Sequence, residues 1–194
     1  MVTILQVMNP FYVFLNSLSP ISDTIINDLS KFIRQKSFDK GERLLESGHI
    51  CKYLFFINEG LVKMSFNKEE KQFIMRFFAE RSMLTGLDSF VSGQPSNYTI
   101  EALEPTSVSM ISKSDLEELG KLHHGIDIVL KNFFAMVSLN MMNRISEMLE
   151  EDASERYNSF LQTQGKLLKR ISLGELASYL GITQVSLSRI RAKR

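Results

Sequence analysis

The sequence predicts an α+β chain: an N-terminal β-barrel with flanking helices, one long helix, and a small C-terminal helix pair. Three observations predict it. All four prolines (Pro10, Pro20, Pro95, Pro105) lie in the first 105 residues, where Gly41, Gly48, Gly60, Gly86 and Gly93 punctuate short runs of β-forming residues. Residues 126–149 contain neither Gly nor Pro, and their apolar side chains recur every three or four positions. The last thirty or so residues are basic and read as helix, glycine turn, helix.

The β-forming runs are 54–57, 61–66, 72–78, 98–102 and 108–111. Strands about ten residues apart with glycine turns indicate a barrel or sandwich. No helical pattern alternates with them, which argues against a parallel sheet. Asn67-Lys68-Glu69-Glu70 reads as a hairpin loop. Residues 1–18 are apolar-rich but lack a basic leader and are broken by Asn9, Pro10 and Asn16, so they read as a docked segment rather than a signal peptide.

Beyond the barrel, 115–122 reads as a short helix with Ser114 as its N-cap. Gly125 interrupts, and 126–149 follows as a helix about 36 Å long. Its apolar stripe is wider than one surface face requires, reaching Leu139 and Met142. This favours a dimer seam over a helix buried within one chain. A further helix spans 153–161, and 162–169 reads as a loop. The domains expected are 1–125, 126–150 and 151–194.

The final segment holds the clearest local signals. Ser172 and Glu175 fit a capping box. Gly181 stands where the helix must end in a left-handed turn. Thr183 caps a second helix over 184 to about 193, whose inward face is Leu187 and Ile190. Helix, turn and helix over this length form the helix-turn-helix pattern. Gln184, Val185, Ser188 and Arg189 lie on the outer side. Arg can bond guanine bidentately, Gln can bond adenine, and Val can touch a thymine methyl. Thr183, Ser186, Lys169, Arg170 and Lys193 suit phosphate oxygens.

Composition sets the outer limits. The 194 residues are 44% hydrophobic and 23% charged, with net charge +1. That is ordinary globular usage, neither disordered nor collagen-like. The near-neutral total is uneven. Residues 164–194 carry seven basic side chains against Glu175 alone, a net of +6; the other 163 carry 16 basic and 21 acidic, a net of −5. A basic end suits an anionic partner or a solvated tail. One cysteine, Cys51, excludes an internal disulfide and thiolate metal sites. No run approaches 18 consecutive apolar residues, so no membrane partner and a cytoplasmic location are expected. His49, His123 and His124 lack metal-ligand spacing, and serines and carboxylates show no nucleophile–base pattern. Neither an enzyme nor a cofactor is indicated. Phe55, Phe56, Phe77 and Phe78 read as core.

The order of elements resembles the CRP/FNR family, the cyclic-AMP receptor protein and its relatives. The matching residues are Lys40-Gly41-Glu42, Leu45, Gly48, Leu54-Phe55-Phe56-Ile57, Gly60, Phe90, Gly93-Gln94, and 171–189 with Leu180-Gly181-Ile182-Thr183 and Leu187-Ser188-Arg189-Ile190. The resemblance implies a jelly-roll barrel of cyclic-nucleotide-binding type and a homodimer through the long helix. It implies double-stranded DNA as partner, admits RNA polymerase as another, and puts Gln184, Val185 and Arg189 on base-reading positions. The alternative is a sensor module acting through a protein partner.

The family's ligand residues are not carried over. Matched without gaps from Phe90, the ribose-contacting Glu is Gly86, the phosphate-gripping Arg is Ser96 and its Ser partner is Asn97. The adenine-reading Thr-Ser pair matches Met141 and Met142. Loss of the Arg removes a bidentate phosphate contact. The expectation is no cyclic AMP binding in the family manner. Candidate lining residues for another effector, or for none, are Arg76, Asp88, Ser89, Ser96, Asn97 and Tyr98, with Arg76 alternatively pairing with Glu80. The family's oxygen-sensing cluster is excluded by the cysteine count. No β-hairpin wing follows the second helix, so phosphate contacts a wing would make are expected from elsewhere.

Overall fold

The computed structural model describes residues 9–69 and 71–192. Helix α1 (Pro10–Leu18) starts with Asn9 accepting the Phe11 amide at 2.9 Å and with proline at its first position, where no amide is needed. It buries Phe11, Tyr12 and Leu15 on the barrel, with Phe11 edge-on to Phe56. The segment 1–18 is thus docked from residue 9 onward; residues 1–8 lie outside the description. Helix α2 (Asp23–Ser30) follows, capped by Ser22.

Eight strands come next: β1 (Arg34–Phe38), β2 (Arg43–Leu45), β3 (Tyr53–Glu59), β4 (Val62–Lys68), β5 (Lys71–Phe78), β6 (Met83–Leu84), β7 (Thr99–Ala102) and β8 (Thr106–Ser112). They form two four-stranded antiparallel sheets, ordered β1-β8-β3-β6 and β2-β7-β4-β5. This is the expected jelly-roll barrel. The core between the sheets holds Phe56, Ile57, Val62, Leu84, Ile100 and Val108. Three strands escaped the sequence reading. In β1 the first four residues are exposed and polar, while β2 and β6 are only three and two residues long. Helix α3 (Leu87–Ser92) was also unforeseen.

Two turns show why the chain folds here. Lys68 pairs with Lys71, so the β4–β5 turn has two residues, narrower than the four expected; Glu69 takes φ 55°, and Glu70 lies outside the described residues. Gly60, between β3 and β4, has φ 103°, and a Cβ there would lie 2.4 Å from Thr106 Oγ1. Only glycine fits that close approach.

The strand run passes directly into helix α4 (Lys113–Leu122). Its cap is Ser112, which accepts the Asp115 amide at 3.1 Å, rather than the expected Ser114. Ser114 instead shares a hydroxyl contact with Ser112. Helix α5 (His124–Glu150) starts earlier than expected and contains Gly125 instead of beginning after it. The missing side chain leaves room for Ile25, whose Cδ1 would sit 2.8 Å from a Cβ. By length and apolar composition α5 could cross a bilayer. Its first turns, however, bury Ile126, Val129 and Phe133 in the barrel core.

Helix α6 (Ala153–Gln164) opens with a capping box made by Asp152 and Glu155. It extends past the expected end, and a 3-10 turn (Gly165–Lys169) occupies the rest of the expected loop. Helices α7 (Leu173–Leu180) and α8 (Gln184–Ala192) complete the chain. They belong to a second core with α6: Leu176, Leu180 and Leu187 pack with Tyr157 and Phe160, and also with Leu61, Ile74, Phe77 and Leu103 of the barrel. The helix pair is therefore seated on the barrel.

Candidate nucleic-acid interface and barrel cavity

The α7–α8 pair is built as its sequence specifies. Ser172 Oγ accepts the Glu175 amide at 3.2 Å, and Glu175 Oε2 accepts the Ser172 amide at 2.8 Å. Gly181 takes the left-handed conformation at φ 70° and ends α7. Thr183 Oγ1 accepts the Ser186 amide at 3.2 Å and lies 3.0 Å from Ser186 Oγ, so both hydroxyls shape the start of α8. Leu187 is buried beneath. Gln184, Val185, Ser188 and Arg189 are exposed together, with Val185 61% exposed. Gly174 had no role in the sequence reading, yet the Gln184 amide lies 2.8 Å from where its Cβ would be. Lys193 lies outside the described residues.

Electrostatics at the docked face differ from the simple basic patch the charge count suggested. Arg170 forms a fork with Glu80, its Nη2 and Nη1 donating at 2.7 and 3.0 Å. It also donates to Glu104 at 2.5 and 3.3 Å. The guanidinium lowers the Glu80 carboxyl from 4.5 to about 2, chiefly through these hydrogen bonds, and the two carboxylates raise the Arg170 pKa. Glu80 is thus the partner of Arg170, not of Arg76, and Arg170 meets carboxylates where a phosphate was expected. Lys169 is exposed.

A second ionic tie is nearly dry. Lys63, 7% exposed, reaches Glu101 at 3.2 Å and Glu175 at 3.5 Å. Glu175 therefore caps α7 with one oxygen and anchors it to the barrel with the other. Phe77, Phe160 and Tyr179 form an aromatic cluster with ring centroids 5.3–6.4 Å apart. At the end of α7, Arg144 of α5 donates to the Tyr179 carbonyl and lies 4.0 Å above its ring, and Arg156 donates to the Leu180 carbonyl at 3.1 Å. These arginines satisfy carbonyls that a helix end leaves unpaired.

Beside this interface lies a cavity of about 1410 Å³ between the barrel, α5 and the α6 end. Of the candidate lining residues, Arg76, Asp88, Tyr98 and Met141 border it, whereas Gly86, Ser89, Ser96 and Asn97 do not. The apolar wall comes from Met64, Phe78, Phe134, Met136 and Val137, which the sequence places in strands, core or the long helix's apolar stripe rather than in a pocket. Met142 is 64% exposed and faces elsewhere. Ser89 is consumed internally, accepting the Cys51 amide at 2.8 Å and donating to the Gln94 carbonyl. Cys51 is buried, with Sγ 3.3 Å from Thr85 Oγ1.

Residues 35–123, the strands and α4 just described, match the family described as the cyclic nucleotide-binding domain. The match covers under half of the chain, and the whole fold is similar to that of CRP/FNR-type regulators of known structure. The global regulator CLP of Xanthomonas campestris, described as responsive to c-di-GMP, superposes with a TM-score of 0.72 at 15% identity, covering 89% of this chain and 91% of that one. A putative CRP/FNR-family regulator of Eubacterium rectale gives 0.71 at 17% identity, with 88% and 82% covered. In sequence, the chain is 24% identical to electron transport regulator A of Shewanella oneidensis over 93% of its length and 74% of the relative's.

The residues of this domain do not fit a cyclic nucleotide. A Cβ at Gly86 would already lie 2.5 Å from the buried Leu45 Cδ2 and 3.3 Å from Cys51 Cβ, so the position has no room for a ribose-binding carboxylate. Ser96 offers a hydroxyl where a guanidinium would grip phosphate.

Proposed function

We propose that the chain is a homodimeric, sequence-specific DNA-binding transcription regulator, not an enzyme, with α8 as the base-reading element. The observation that carries this reading is the exposed set Gln184, Val185, Ser188 and Arg189 on the first turns of a capped helix behind a left-handed glycine turn. Such a helix presents its N-terminal side chains to base edges in the major groove. The regulators of similar fold support the same reading.

Dimerisation rests on the outer half of α5. Leu139, Met142, Ile145 and Leu149 are 61%, 64%, 54% and 81% exposed and follow one stripe. A second copy of the same helix is the occupant that fits, because a symmetric seam buries identical apolar stripes on both sides. Two copies would place two α8 helices for two half-sites.

The test is binding of fluorescent duplexes selected from a random pool, measured for wild type and Arg189→Ala. Wild type should prefer the selected duplex, and the variant should lose about 1–3 kcal/mol of that preference. Equal binding of all duplexes by both proteins would reject base reading.

A further inference from the structure

The loop at residues 94–98 is held rigidly. Gly48 donates to the Ser96 carbonyl at 2.8 Å, and the Ser96 amide donates to the His49 carbonyl at 3.0 Å. Ser96 Oγ accepts the Tyr98 amide at 3.0 Å, and Ser96 is 2% exposed. Two donors of this loop converge on one carboxylate. Ser96 Oγ donates to Asp88 Oδ1 at 2.9 Å and Oδ2 at 3.1 Å, and the Asn97 amide donates to Asp88 Oδ2 at 3.0 Å. Asp88 reaches them from α3 and lines the large cavity. These donors stand at the two positions that the CRP/FNR resemblance matches to a phosphate grip. A carboxylate offers the charge and acceptor oxygens that a phosphodiester would bring. A second anion there would meet spent donors and a like charge at close range.

We propose that Asp88 is a built-in occupant of the anion cradle and sets the ligand class of the barrel: phosphate-bearing ligands are excluded, and any effector seated here carries no phosphate at this loop. This rests on the reading of the barrel as the effector-sensing part of a regulator. Met64, Phe78, Phe134, Val137 and Met141 form an apolar wall beside Asp88, while Arg76 and Arg81 also line the cavity, so a largely apolar molecule with a polar group away from this loop suits it. Clearing the cradle needs only the loss of one side chain, because the donors are positioned by backbone contacts that do not involve Asp88.

The experiment titrates cyclic AMP and, separately, inorganic phosphate into the ¹⁵N-labelled full chain while following the Asn97 amide. Wild type should show no saturable shift up to about 10 mM of either probe. Asp88→Ala should gain one, with at least a tenfold tighter response at Asn97. Asp88→Ser and the near-isosteric Asp88→Asn, which removes the charge and keeps the side chain's size, are the milder variants should Ala fail to fold, and each should show the same gain. A wild-type Asn97 shift saturating below about 10 mM would overturn the proposal. So would folded variants that stay silent. Duplex binding by wild type, measured in parallel, separates the two levels: its absence counts against the regulator reading, whereas cyclic AMP at the wild-type loop counts against Asp88 alone.

Discussion

Replacing Arg170 by Ala should weaken, without breaking, the attachment of the helix pair to the barrel. The side chain meets Glu80 in a two-pronged fork at 2.7 and 3.0 Å and Glu104 at 2.5 Å. Taken undiminished, lowering Glu80 from 4.5 to about 2 corresponds to roughly 3 kcal/mol. Glu80 is 40% exposed and Arg170 27%, so solvent screening reduces the Glu80–Arg170 coupling to about 1–1.5 kcal/mol. The fork geometry keeps it above an ordinary surface pair. The sign with pH follows from the depressed carboxyl: the contribution is complete above the unfolded value of 4.5 and fades as pH falls toward 2. A double-mutant cycle of Arg170→Ala and Glu80→Gln by urea unfolding measures it. At neutral pH and low salt the coupling should be about 1–1.5 kcal/mol, and roughly half should be gone by pH 3. Coupling within about 0.3 kcal/mol of zero at pH 7, or no change between pH 7 and pH 3, would refute the reasoning.

Three further outcomes follow from the same contacts. Ser172→Ala removes the hydroxyl that caps α7 and should cost about 1 kcal/mol in urea unfolding, because Glu175 keeps only half of the box. Phe77→Ala empties the aromatic cluster between barrel and α7, where Phe77 is 4% exposed, and should cost about 3–5 kcal/mol. Met142→Glu together with Ile145→Glu puts charge on the exposed stripe of α5, and light scattering should fall from a dimer to the 22.2 kDa monomer with the circular dichroism unchanged.

The legible parts of this molecule are those whose signal is local. Ser172, Glu175 and Gly181 declare α7 and its end because capping and a left-handed turn are short-range requirements. The runs around Phe56, Val62 and Phe77 declare strands because they are long and apolar. The two-residue β6 and the polar β1 carry no such pattern and become strands only by pairing with β3 and β8. At the site, the outer residues of α8 were readable from periodicity. The engagement of Arg170 was not, since Glu80 and Glu104 lie 90 and 66 positions away and charge counting treats every arginine as free. Asp88 was readable as a pocket residue but not as the acceptor of the Ser96 hydroxyl and the Asn97 amide, because these meet it only through the fold of the loop. The likeness to the CRP/FNR architecture pointed to the barrel and to the helix pair that the structure shows.

The base-reading role of α8 is tested most directly by selecting duplexes from a random pool with the purified protein and sequencing what is retained. The account predicts inverted repeats whose half-sites are about one helical turn apart, with binding that weakens as salt rises. It predicts that Arg189→Ala retains duplexes degenerate at one base pair of each half-site. A retained pool with no enriched sequence, the same for wild type and variant, would contradict it.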